Sequence, residues 1–230
     1  MTRTANARLA GFTYLFYIAV AFPSMVLLGR ATRGEGFAAK LASMAQHAAD
    51  VRASAVLSLL GCLSALVLAV TLFAITRDQD RDLAMLGLTC RVAEGVTGAV
   101  SIPATLGLLG LATATGSSAP GGAAAQAVGA FVLEQDALVG AWFFAVGSTA
   151  FSWLILRGRM IPIALAWLGV VASVLLVVGL PLRIAGVLTG TVAQLLWLPM
   201  AAFEIPLGVW WLAKGDTTPT KRQRGGLAAA

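Results

Sequence analysis

Residues 53–76 read ASAVLSLLGCLSALVLAVTLFAIT and contain no charged side chain. The hexapeptide RDQDRD at residues 77–82 then ends this run abruptly. A helix of about 20 apolar residues crosses the hydrocarbon core of a bilayer. The sequence therefore predicts a transmembrane helix over 53–76, followed by a tight polar loop.

The same pattern recurs along the whole chain of 230 residues, of which 59% are hydrophobic and only 11% are charged. The mean hydropathy of +0.87 is that of an integral membrane protein. We predict an all-α polytopic membrane helix bundle with six transmembrane helices. The predicted spans are 9–29, 53–76, 83–112, 137–156, 160–182 and 191–213. They form one transmembrane domain over residues 1–215, and the polar tail at 216–230 is expected to be disordered and cytoplasmic.

Two segments between the spans have a character of their own. In residues 31–52, Phe37, Leu41 and Met44 recur at spacings of three and four, opposite Lys40 and His47. This pattern predicts a short helix that lies in the membrane interface after the first span. Residues 113–136 begin with a Ser-, Pro- and Gly-rich stretch and continue into an Ala-rich one, which predicts a loop followed by a helical lead-in.

The distribution of positive charges predicts the orientation. The side that carries both termini holds ten Lys and Arg residues: Arg3, Arg8, Arg77, Arg81, Arg157, Arg159, Lys214, Lys221, Arg222 and Arg224. The opposite side holds five: Arg30, Arg33, Lys40, Arg52 and Arg183. Because cytoplasmic loops are enriched in Lys and Arg, both termini are predicted to be cytoplasmic. The net charge of +6 then reflects topology, and no nucleic-acid partner is expected.

Catalytic and metal-binding patterns are scarce. His47 is the single histidine, and Cys62 and Cys90 lie at different predicted depths, so the sequence offers no zinc or haem ligand set. There is also no phosphate-binding glycine loop followed by lysine and no Gly-x-Ser-x-Gly motif. We predict no catalytic residues, no metal, no cofactor and no enzymatic activity. The predicted partner is the lipid bilayer, with a homo-oligomer or another membrane protein left open.

Three ionisable residues lie inside predicted spans: Arg91 and Glu94 in the third, and Glu204 in the sixth. Each costs on the order of 3 kcal/mol at a helix centre, so we expect them to face one another. Glu94 is one helical turn from Arg91, and Arg91 and Glu204 lie at similar predicted heights. The sequence therefore predicts an intramembrane polar cluster of one arginine and two carboxylates.

Small and polar residues at helical spacing surround these charges and predict the faces on which the two spans meet. Prolines on either side of Glu204 predict a kinked sixth span. The supporting residues predicted on this basis are Gly98, Ser101, Gln194, Pro199, Pro206 and Gly208.

The sequence leaves the purpose of the cluster open. In the first interpretation, Arg91 and Glu204 form a buried clamp that fixes helix packing. In the second, a polar cavity reaches the cluster, and the surplus carboxylate binds a proton or a small cationic solute. The leading functional hypothesis is a small-solute or proton-linked permease-like protein, which would be expected to form a dimer. The rival is a structural or regulatory membrane subunit, and a membrane enzyme comes third.

Four stretches together resemble one known family. They are RLAGFTYL at 8–15, RVAE at 91–94, LRGRMIP at 156–162 and EIPLGVWWLAKG at 204–215. In their order and spacing they resemble bacterial multi-spanning membrane proteins that are grouped only as a domain of unknown function. The resemblance implies a multi-pass protein of the bacterial cytoplasmic membrane. It carries over no catalytic residue, although the RVAE stretch and Glu204 coincide with the predicted cluster.

Overall fold

The computed structural model describes residues 2–114, 129 and 138–215. Within this part of the chain all regular structure is helical, as predicted. The helices are α1 (Arg3–Ala31), α2 (Gly36–Gln46), α3 (Ala48–Thr76), α4 (Arg81–Thr113), α5 (Leu138–Gly158), α6 (Ile163–Ile184), α7 (Gly190–Leu195) and α8 (Leu198–Lys214). The predicted lead-in helix before the fourth span and the predicted disordered tail lie outside the described residues.

The six predicted spans correspond to six long apolar stretches of helix, which are α1, α3, α4, α5, α6 and the pair α7–α8. Each is long and apolar enough to cross a membrane. Most of these helices run a few residues past the predicted ends, because polar residues at a helix end can continue the helix beyond the apolar run. The short helix predicted after the first span is α2, and its Met44 is fully buried.

The sixth span is two helices rather than one. α7 ends at Leu195 and α8 begins at Leu198, and the Trp197 amide donates to the Gln194 carbonyl at 3.3 Å in a tighter turn. Pro199 lies in the first turn of α8. Proline has no amide hydrogen to donate to a residue four positions earlier, so it is favoured at a helix start and disfavoured inside one.

The described residues form two compact units. The first comprises residues 2–15, 66–92 and 142–215, and the second comprises 16–65, 93–114, 129 and 138–141. α1, α3, α4 and α5 each contribute a segment to both units. The core of the second unit includes Ala31, Met44, Val51, Leu108 and Leu109.

The polar loop between α3 and α4 belongs to the first unit and is held by charged residues. Arg3 donates to the Ile75 carbonyl at 3.0 Å, and its guanidinium lies 3.7 Å from the Asp78 carboxylate. The Asp80 carboxylate accepts the Leu83 amide at 3.1 Å. This bond satisfies one of the unpaired amides in the first turn of α4.

Candidate functional site

The three ionisable residues predicted inside the spans are all buried. Arg91 is 0% exposed, Glu94 is 9% exposed and Glu204 is 6% exposed. Arg91 and Glu204 belong to the first unit, and Glu94 belongs to the second. The predicted pairing of Arg91 with the two carboxylates stays a prediction.

α5 holds Arg91 in place within the first unit. The guanidinium carbon lies 4.8 Å from the centre of the Phe144 ring, in the geometry of a cation–π interaction. One turn along α5, a Cβ added at Gly147 would lie 3.2 Å from Arg91 Cγ. The Phe144 ring also packs against Trp197, with 5.9 Å between the ring centres. A ring and a glycine on one helix face therefore contact both ends of the arginine side chain.

Glu204 lies on the buried face of α8, whose members recur at helical spacing. They are Met200, Phe203, Glu204, Leu207, Gly208 and Trp211. Phe203 packs on Gly169 of α6, where an added Cβ would lie 2.5 Å from the ring. Gly208 faces Gly11 of α1, and a Cβ at Gly11 would lie 2.6 Å from the Gly208 carbonyl oxygen. These two contacts orient α8 so that Glu204 points into the protein.

Glu94 has a tyrosine partner in the second unit. The Tyr17 hydroxyl of α1 donates to Glu94 Oε1 at 3.2 Å. One turn further along α4, the Thr97 hydroxyl donates to the backbone carbonyls of Ala93 and Glu94 at 2.8 and 2.9 Å. The Glu94 carboxylate therefore accepts a hydrogen bond from a side chain of α1, while the Thr97 hydroxyl forms its hydrogen bonds with the backbone of α4 itself.

Four of the six predicted supporting residues have a structural role. Two are glycines at helix contacts, one is the proline that starts α8, and one is a serine that forms a hydrogen bond within α4. Gly208 lies against α1, and a Cβ at Gly98 would lie 3.1 Å from Cys62 Sγ of α3. Pro199 starts α8. Ser101 is exposed, and its hydroxyl donates at 2.7 Å to the Gly98 carbonyl of its own helix.

The other two supporting residues, Gln194 and Pro206, are exposed. Gln194 belongs to α7, on the far side of the helix break. Pro206 lies inside α8 but outside its buried face.

Two residues near the charges were missed as site residues by sequence reasoning. Tyr17 carried a weak signal, because a tyrosine inside a span has a hydroxyl that needs a partner. Phe144 carried none, because it is one of many apolar residues in its span. A phenylalanine becomes informative only when the structure places a cation over its ring.

The side chains at the site can accept protons or hold small cations. Across residues 2–114, 129 and 138–215, no group of three or more His, Cys, Asp or Glu side chains is arranged to hold a metal ion. Buried carboxylates in membrane helices are characteristic of ion and proton pathways. They also occur in structural ion pairs.

Comparison with known proteins identifies a family but no activity. Neither a curated protein nor a solved structure matches the chain. A family profile described as a domain of unknown function, DUF4386, matches residues 9–215. That range covers all the described helices except the first turns of α1, and it includes Arg91, Glu94 and Glu204. The chain therefore belongs to the DUF4386 family.

Proposed function

We propose that this protein is a permease-like membrane protein that moves a small solute, or protons, through its helices. We place it in the bacterial cytoplasmic membrane with both termini in the cytoplasm, and we assign it no enzymatic activity. The observation that carries the proposal is the burial of Arg91, Glu94 and Glu204 within apolar helices of membrane-spanning length.

The cost of these three residues supports a functional role. Each ionisable side chain at the centre of a span costs on the order of 3 kcal/mol to insert. Packing alone can be achieved with apolar side chains of similar volume at no such cost. A protein that retains one arginine and two carboxylates there gains something that apolar residues cannot supply, such as binding of a proton or a cation.

The interrupted sixth span supports the same proposal. A helix break leaves backbone groups without their regular partners, which in membrane proteins is tolerated inside the protein or along a water-filled path. Broken helices form the solute sites of many transporters. Here the break at Leu196–Trp197 comes two turns before Glu204 on the same span.

A structural or regulatory subunit is the second candidate, and one specific contact favours it. Phe144 and Gly147 contact both ends of the Arg91 side chain, as expected for an arginine that fixes the packing of α4 on α5. In that case the charges would contribute to stability and to binding of another membrane protein, without transport.

Reconstitution of the full chain into phospholipid vesicles tests the proposal. An imposed pH gradient should collapse faster with the protein than without it, as followed by a trapped pH-sensitive dye. Parallel uptake measurements should use permanently charged small cations, beginning with guanidinium. Glu94→Gln and Glu204→Gln should each lose most of the activity.

Glu35→Gln is the matched control, because Glu35 is an exposed glutamate outside the long helices. It should leave any flux unchanged. Equal rates in protein-containing and empty vesicles, for protons and for every cation tested, would reject the permease and favour the subunit.

A further inference from the structure

The hydrogen bond between Tyr17 and Glu94 carries a more specific inference, which rests on the proposed function. Tyr17 Oη lies 3.2 Å from Glu94 Oε1, and the carboxylate is buried. An ionised carboxylate only accepts hydrogen bonds, whereas a protonated one also donates. A phenol hydroxyl can do either, so it can serve both protonation states of Glu94 without a change of partner.

Four other residues near Glu94 differ from Tyr17 in this property. The Thr97 hydroxyl donates to backbone carbonyls of its own helix. On α3, Cys62 faces α4, where a Cβ added at Gly98 would lie 3.1 Å from its Sγ, but a thiol is a weak hydrogen-bonding group. From α5, Gly140 lies near the Glu94 backbone carbonyl and has no side chain to titrate. On α4 itself, Arg91 precedes Glu94 by one turn and stays protonated.

The tyrosine ring lies beside the backbone of α3. A Cβ added at Gly61 would lie 3.9 Å from Tyr17 Cε2, an ordinary contact distance. The ring therefore packs beside the α3 backbone, where a larger side chain at position 61 would compete for the same space.

We propose that Glu94 is the carboxylate that takes up and releases the transported proton, and that Tyr17 is its positioning residue. Tyr17 donates a hydrogen bond from its hydroxyl to ionised Glu94. When Glu94 gains a proton, the new carboxyl O–H donates a hydrogen bond to the Tyr17 oxygen, and the hydroxyl hydrogen of Tyr17 rotates away from Glu94. The phenol keeps its own proton throughout, so no net charge moves onto Tyr17.

Fluorine NMR can follow this exchange, because the chain contains only two tyrosines. The full chain is prepared with 3-fluorotyrosine in lipid nanodiscs, and Tyr14→Phe assigns the two resonances. Tyr14 is a matched position three residues earlier on α1, where its ring packs against Trp211. Between acidic and neutral pH the Tyr17 resonance should shift with a single transition. That transition should disappear in Glu94→Gln and persist in Glu204→Gln.

Infrared spectroscopy with carboxyl-labelled glutamate provides a second measurement that keeps the Glu94 side chain. The protonated carboxyl band of Glu94 should move to higher wavenumber in Tyr17→Phe, because it loses a hydrogen bond, and stay unchanged in Tyr14→Phe. A transition at Tyr17 that survives Glu94→Gln, or a band that ignores Tyr17→Phe, would overturn the inference.

The two proposals fail in different ways. If proton flux is present and depends on Glu204 alone, Glu204 is the proton carrier, so the assignment to Glu94 is wrong while the permease remains. If the Tyr17 resonance follows Glu94 but vesicles show no flux of any kind, the hydrogen-bonded pair exists and the permease is rejected. A proton-carrying role for Glu94 requires both the transition and the flux.

Discussion

Replacing Gly11 by alanine should force α1 and α8 apart and lower the stability of the first unit. A Cβ at this position would lie 2.6 Å from both the Gly208 carbonyl oxygen and the Leu212 amide nitrogen. Both are backbone atoms, so no side-chain rotation can relieve the contact. Non-bonded heavy atoms normally approach to about 3.5–4.0 Å, so the two helices must separate by roughly 1 Å.

The expected loss of unfolding free energy can be worked out by comparison with a glycine that has no neighbour near its added Cβ. An added methylene group in a packed interior costs about 1–3 kcal/mol, whereas alanine improves a helix interior by about 0.5–1 kcal/mol over glycine. Gly107 of α4 is the control, because a Cβ there has no neighbour within 4 Å. The helix gain is common to both variants, so Gly11→Ala should be about 1–3 kcal/mol less stable than Gly107→Ala.

Equilibrium unfolding in mixed detergent micelles, followed by circular dichroism, measures this difference. Gly208 is one turn after Glu204 on the buried face of α8. Gly11→Ala should therefore also rotate or shift the Glu204 side chain. Any proton flux should therefore fall in Gly11→Ala and stay near wild type in Gly107→Ala. Equal stability of the two variants would refute the close α1–α8 contact.

Three further predictions address the charges and the topology. Phe144→Leu should destabilise the protein by about 0.5–2 kcal/mol through loss of the cation–π contact, while Phe143→Leu should cost less in the same unfolding assay. If Arg91 and Glu204 are paired, the double change to leucine should be milder than either single change, and additive losses would argue against pairing. A reporter active only in the cytoplasm should work when fused after α8 and fail when inserted at Gly121, and activity at both positions would contradict the six-span topology.

The long helices could be predicted because their signal is local. The uncharged run at 53–76 ends at Thr76, where α3 also ends. Charged residues of the following hexapeptide are costly in hydrocarbon, so the end of the run and the end of the span coincide. The short α2 was also predictable from a local signal, because Phe37, Leu41 and Met44 recur at helical spacing. Met44 is buried in the structure.

The partners of the buried charges could not be predicted, because they depend on tertiary packing. Insertion cost identifies Arg91, Glu94 and Glu204 as unusual, but it does not say which side chain lies beside each of them. Tyr17 and Glu94 are 77 positions apart in sequence, and their contact depends on how α1 and α4 pack. The prolines beside Glu204 predicted a kink there, whereas α8 runs through Pro206 and the interruption of the sixth span lies at Leu196–Trp197, before Pro199.

Proton flux per folded molecule tests the central claim most directly. Vesicles with a known number of folded proteins are given a pH gradient, and the rate of internal pH change is divided by that number. The permease proposal predicts that wild type conducts, and that the Glu94→Gln/Glu204→Gln double variant remains helical but conducts no faster than empty vesicles. An unchanged rate per folded double variant, or no rate in wild type above that of empty vesicles, would contradict it.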